Sequence, residues 1–154
     1  MAYIEGHRET GCIFCDPATP RSDRDRLIVH RAQHVFVLLN RYPYAPGHLM
    51  VAPYVHDGRI DALSDETRLE LMAVLTEASQ VLEERFRNEG LNIGANLGKA
   101  AGAGFADHLH FHLVPRWVGD TNFMTVIGET RVIPQHLDTL WEEISAGFRK
   151  REAS

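Results

Sequence analysis

The chain is poor in cysteine, in net positive charge and in long apolar runs, and each shortage removes a class of function. Only two of its 154 residues are cysteine. No disulfide framework can hold it, and a chain of this length buries enough surface to do without one. Sixteen Lys and Arg stand against 21 Asp and Glu, a formal net charge of -5. Without a general basic field, gripping nucleic acid by its phosphates is not expected to be the main task. No apolar run approaches the ~20 residues that span a bilayer. The first residues, Met1 to His7, lack the charged-then-apolar layout of a secretory signal. A cytoplasmic protein is expected, with neither nucleic acid nor membrane as partner. The hydrophobic share of 44% and charged share of 24% suit a globular chain, and the length suits one domain over residues 1–154.

What the chain has in excess is histidine: nine residues, three of them within five positions. Residues 1–26 are polar and turn-rich and end in the charged run Arg21 to Arg26, read as a solvated loop. Short apolar segments with β-branched residues predict strands at Leu27–Val29, His34–Leu39 and His48–Pro53, with a Pro- and Gly-broken loop at 41–47. Ser64 before Asp65 and Glu66 is an N-cap signal. Leu71, Leu75, Ala78, Leu82 and Phe86 then predict a long helix over about 65–88, ended by Asn88-Glu89-Gly90. A fourth strand is expected at Leu91–Asn96, a Gly- and Ala-rich loop at 97–104, and a fifth strand from His108 to Pro115. Leu137, Leu140, Trp141, Ile144 and Phe148 predict a second helix near 135–148. Strands interrupted by one long helix suggest an α+β domain on an antiparallel sheet.

The informative stretch is His108-Leu109-His110-Phe111-His112-Leu113-Val114. In a strand, alternate side chains share a face, so the three histidines line one side about 6.7 Å apart and the three apolar residues line the other. Imidazole fills a core poorly and needs hydrogen-bond partners when buried. Two chemistries could use such a face: a metal site with an open position for water, or nucleophilic attack by a neutral imidazole. The outer histidines stand ~13 Å apart in an extended strand, too far to share one ion. The middle residue, His110, is flanked on both sides and suits the nucleophile.

That stretch resembles the histidine triad signature at all seven positions. The likeness continues in Leu39 to His48, an asparagine-containing loop that leads into Gly47-His48, and in Pro115-Arg116 after the triad, as in the fragile-histidine-triad branch. It covers roughly residues 10–120, leaving a C-terminal extension at about 121–154. The resemblance implies a five-stranded antiparallel sheet with one long and one C-terminal helix, usually paired into a homodimer. It implies nucleotide chemistry: His110 attacks the α-phosphorus to form a nucleotidyl-histidine, His112 contacts phosphate, and His108 orients the network or serves a metal. Asn40 would hydrogen-bond the ribose, His48 would sit near the triad, and a purine would lie among apolar residues of the first strands. No organic cofactor is implied. The Gly-rich loop ending at Gly104 would let backbone N–H groups approach phosphate, with Lys99 adding charge. Gly104 and Phe105 stand where the hydrolase branch carries a polar side chain. The run Asn96-Leu97-Gly98, the loop to Asp107 and Trp117 look more like the diadenosine tetraphosphate phosphorylase branch, in which phosphate replaces water. The function so implied is nucleotidyl transfer on dinucleoside polyphosphates. The alternatives are hydrolysis of nucleoside phosphoramidates or adenylated amines, and a binding module with vestigial activity.

Cys12 and Cys15, spaced C-x-x-C, suit a shared metal or a redox pair. In triad relatives with zinc, the ligands are a C-x-x-C, a histidine just after the third strand and the first triad histidine. Here these would be Cys12, Cys15, His56 and His108. The ion would be structural. For the homodimer, the helix offers apolar residues beyond a narrow stripe: Leu69, Met72, Val74 and Val81 beside Leu71, Leu75 and Leu82.

Overall fold

The computed structural model describes residues 11–15, 21–120 and 137–153; the expected helix start at 135 and most of the C-terminal extension lie outside them. Its elements are β1 (Ile28–Arg31), β2 (Val35–Leu39), β3 (Leu49–Pro53), α1 (Asp65–Phe86), β4 (Gly90–Gly94), β5 (Phe111–Arg116) and α2 (Leu137–Glu152). The strands form one antiparallel sheet in the order β1-β2-β3-β5-β4. Five-stranded antiparallel sheet, long helix and C-terminal helix are the expected α+β architecture.

Alternation along the strands divides the core in two. One face of the sheet presents Val29, Val35, Val37, Leu39, Leu49, Val51 and Leu113 to α1 and α2. The other carries Ile28, Phe36, Leu38, Met50 and Ala52, closed by Phe14 from the N-terminal segment. Met50 lies opposite His112 in the ladder, so this second face is also the histidine face.

Helix α1 starts where its N-cap predicts: Ser64 Oγ accepts the Thr67 N–H at 3.2 Å. It stops earlier than expected. Arg87 turns left-handed (φ 48°) and donates its N–H to the Glu83 carbonyl, while Gly90 opens β4 opposite Arg116 instead of closing the helix. Glu70 reaches from α1 to the turn between β1 and β2, where its carboxylate accepts the N–H groups of Gln33, His34 and Val35 at 3.2, 2.5 and 3.0 Å. Val74 and Val81 are buried within the chain's own core, whereas Leu69 and Met72 are exposed.

Strand boundaries also shift. β1 begins at Ile28 because Leu27 has a φ of 60°, outside the strand range. β4 covers Gly90–Gly94, not 91–96. The fifth strand begins at Phe111, not His108. Pairing with β3 ends at Val51–Phe111, and two positions further along β3 stands Pro53, which has no N–H to extend a ladder. The segment before Phe111 is held instead by the loop after β3: the Leu109 N–H donates to the Asp57 carbonyl at 2.8 Å.

Candidate active site and metal centre

Although His108 and His110 precede the ladder, the three histidines still share one face. Leu109 and Leu113 are buried in the helix-covered core and Phe111 packs against it. His110 and His112 meet edge to face, ring centroids 5.0 Å apart. Two of the three imidazoles have a nitrogen committed by a backbone carbonyl, and the third is set through His48, which meets a backbone N–H.

The Pro53 carbonyl can only accept. His108 therefore donates Nε2–H to it at 2.8 Å, leaving Nδ1 as a lone pair. His110 donates Nδ1–H to the His108 carbonyl at 2.9 Å, which frees Nε2. The Tyr44 backbone N–H can only donate, and it meets His48 Nδ1 at 3.1 Å. His48 thus carries its proton on Nε2 and gives it to His112 Nδ1, 2.9 Å away. That leaves His112 with Nε2–H as an outward donor. Burial lowers the pKa of all three triad histidines, keeping them neutral near pH 7. Burial, with a smaller contribution from the nearby His112, lowers His48 to about 4.

The loop before β3 shapes this pair. Gly47 has a φ of 79°, and a Cβ there would lie 2.5 Å from the Phe86 ring, so only glycine lets His48 enter the sheet at this height. Asn40 accepts the Tyr42 N–H on Oδ1 at 2.9 Å and turns Nδ2 toward His48 Nδ1 at 3.4 Å. Its carboxamide is engaged within the loop. The exposed Tyr44 ring lies over His48 with centroids 4.7 Å apart.

Cys12, Cys15, His56 and His108 converge into a group whose candidate ligand atoms all lie within 4.8 Å of one another. Cys12 Sγ is 3.3 Å and Cys15 Sγ 3.6 Å from His108 Nδ1; His56 Nδ1 is 3.2 Å from both Cys15 Sγ and His108 Nδ1. Tetrahedral zinc with bonds of ~2.0 Å to nitrogen and ~2.3 Å to sulfur needs separations of about 3.3 Å between nitrogens and 3.5 Å between nitrogen and sulfur. Two thiols and two imidazoles at these spacings fit a four-coordinate metal. The bond from His108 to Pro53 supplies the outer support such ligands need. Gly58 allows the His56 loop to lie against residues 106–107, since a Cβ there would meet the Ala106 carbonyl at 2.1 Å.

The Gly-rich loop stands apart. Asn96, Lys99 and Gly104 are exposed, and among the described residues no hydrogen bond joins them to a triad histidine. Leu97 and Gly98 instead border a cleft of about 560 Å³ beside the Cys/His group, with His56, Arg59 and Asp107 on its other walls. Sequence reasoning missed Phe14, Pro53 and Tyr44. Phe14 carried a signal, its place between the two cysteines. The contributions of Pro53 and Tyr44 are backbone groups, which no side-chain pattern reports.

Comparisons with known proteins agree with this geometry. The family model for the HIT domain matches residues 21–118. An AP-4-A phosphorylase from Mycobacterium tuberculosis is 49% identical over 116 residues, 75% of this chain; the match spans 60% of that protein's length. A bis(5'-adenosyl)-triphosphatase from Dictyostelium discoideum is 35% identical over 81 residues, 53% of this chain and 54% of its own. Among solved structures, a zinc-bound histidine triad family protein from Mycobacterium smegmatis superposes with a TM-score of 0.67 at 25% identity, covering 82% of this chain and 86% of that one. With its signature complete, its sheet and helices in place and its family model matched, the chain belongs to the HIT domain family.

Proposed function

We propose that the chain transfers a nucleotidyl group from a dinucleoside polyphosphate of the diadenosine tetraphosphate kind to phosphate or water. The observation that carries this reading is His110: its Nδ1–H is held by the His108 carbonyl, so the free Nε2 is the atom presented on the histidine face. Nε2 attacks the α-phosphorus, an N–P bond forms, and the P–O bond to the leaving nucleotide breaks. The imidazole becomes cationic, and its Nδ1–H stays directed at a carbonyl dipole that favours that charge. His112, its Nδ1 filled by His48, offers Nε2–H to the phosphoryl oxygens or to the departing oxygen. The second acceptor then attacks phosphorus, the N–P bond breaks, and His110 is restored. Positioning and charge stabilisation carry this chemistry, and a histidine kept neutral by burial is its nucleophile. Asn40, which also faces His48, is assigned to the ribose. Asn96, Lys99 and Gly104 are assigned to the more distant phosphates.

Phosphate is the favoured acceptor, supported by the likeness to a phosphorylase and by Gly104 and Phe105 standing where a polar side chain would serve water. Cys12, Cys15, His56 and His108 would hold zinc, which supplies a structural tie between the N-terminal segment and the sheet. The described residues are read as one domain, since α2 packs on both α1 and β1. A cytoplasmic, homodimeric enzyme is in keeping with the family, and no described helix is long and apolar enough to cross a membrane. Incubation with diadenosine tetraphosphate, with and without phosphate, tests the reading. ADP and ATP formed only with phosphate establish phosphorolysis; AMP and ATP without it establish hydrolysis. Tight binding without turnover would overturn the enzymatic reading.

A further inference from the structure

We propose that Phe14 is a positioning residue for His110, and that through it the metal group sets the rate of nucleotidyl transfer as well as pinning the chain. The inference rests on the roles given above to His110 and to the four ligands. Phe14 is the residue between the two cysteines that faces inward, and it is 2% exposed. Its ring stacks on His110 with centroids 4.6 Å apart and planes at 27°. It also lies 5.1 Å from His108 and meets Phe105 edge-on at 5.9 Å. Behind it stand Ile28, Phe36, Leu38, Met50 and Ala52.

His110 has one hydrogen bond to the protein among those described, from Nδ1 to the His108 carbonyl. A single bond at one edge leaves an imidazole free to pivot about it. The Phe14 ring on one side and the His112 edge on another remove that freedom and hold Nε2 on one line of attack. The hydrogen bond and the Phe14 ring both lead back to the metal group. The carbonyl belongs to His108, itself a ligand. Phe14 rides on the Cys12–Cys15 turn, whose sulfurs reach His56 and His108. Arg26 also grips this turn, at the Phe14 and Cys15 carbonyls, 3.3 and 3.1 Å away. Arg26 and the apolar residues behind the ring hold Phe14 from one side, and the cysteine sulfurs fix the turn that carries it from the other. A displacement of about 1 Å at a reacting atom can cost ~100-fold in rate, so a ring that wedges the nucleophile bears on kcat more than on KM.

The test compares wild-type protein, Phe14→Leu, Phe14→Met and Phe14→Tyr, each as isolated and after zinc is stripped by a chelator. Elemental analysis, circular dichroism, kcat, KM and the single-turnover rate of nucleotidyl-enzyme formation are measured for each. Phe14→Leu and Phe14→Met should stay folded and keep the metal of the wild type. They should form the nucleotidyl-enzyme about 10- to 100-fold more slowly, with KM changed less than about threefold, and Phe14→Tyr, which retains a flat ring, should recover most of the rate. Stripping metal from the wild type should slow the same step to a similar degree, and stripping it from Phe14→Leu should add little, because both act through one ring. Wild-type rates in the folded Leu and Met variants, or losses that multiply when metal removal and substitution are combined, would overturn the inference alone. Failure of the wild type to form any nucleotidyl-enzyme would remove the nucleophile reading and this inference with it.

Discussion

His48 Nε2 lies 2.9 Å from His112 Nδ1, so two histidines 64 positions apart share one proton. The sharing works only while His48 is neutral, because protonation at Nδ1 would set it against the Tyr44 N–H. Burial holds its pKa at about 4 in the folded chain, against ~6.5 when unfolded. As pH falls through that interval the unfolded state takes the proton first. The stabilisation is therefore whole above pH ~6.5 and is lost as pH drops toward 4. Melting temperature should decline over this window, and the decline should be shallower in His48→Gln. Parallel curves for variant and wild type would count against it. In the same variant kcat should fall about 10- to 100-fold, a barrier increase of about 1.4–2.7 kcal/mol, since His112 loses the partner that sets its tautomer.

Removal of the proposed nucleophile should be more severe. His110→Ala should abolish turnover and leave nucleotide binding largely intact, because only the covalent step is lost. Calorimetric titration beside a turnover assay checks both halves. Retention of more than about a hundredth of wild-type kcat, a loss under ~2.7 kcal/mol, would move the covalent chemistry elsewhere.

Protein purified without added metal should carry close to one zinc per chain by elemental analysis. Cys12→Ser with Cys15→Ser should remove it and lower the melting temperature, since metal held by the folded state adds its binding energy to folding. The same double variant melting with the wild type would leave the cysteines without a metal role.

Strand β1 is flanked by α2, whereas β4 is the other edge of the sheet, with Ile93 50% exposed, and α1 shows Leu69 at 75% and Met72 at 60%. A sheet edge that no other described element pairs with, and separately the exposed apolar residues of α1, are surfaces that suit two-fold pairing. Light scattering coupled to size exclusion should give about twice the 17.4 kDa chain mass, and Leu69→Glu with Met72→Glu should shift it toward the single chain. A wild-type species at the chain mass, unchanged on tenfold concentration, would rule the dimer out.

The order of elements, the alternation that puts His108, His110 and His112 on one face, and the Ser64 cap were legible in the sequence. Each depends on local periodicity or on a neighbour a few residues away. The ends of α1 and β5 were not. Arg87 adopts the left-handed turn that the glycine at 90 advertised, and β5 loses its first three residues because Pro53, on a different strand, cannot donate. By spacing alone the two cysteines suited a shared metal or a redox pair, and only folding brings His56 and His108 to their sulfurs. Proton placement among the histidines belongs wholly to the tertiary structure. The carbonyls of Pro53 and His108 and the N–H of Tyr44 decide which nitrogen of each histidine carries the proton, and backbone groups carry no side-chain identity for a sequence to display.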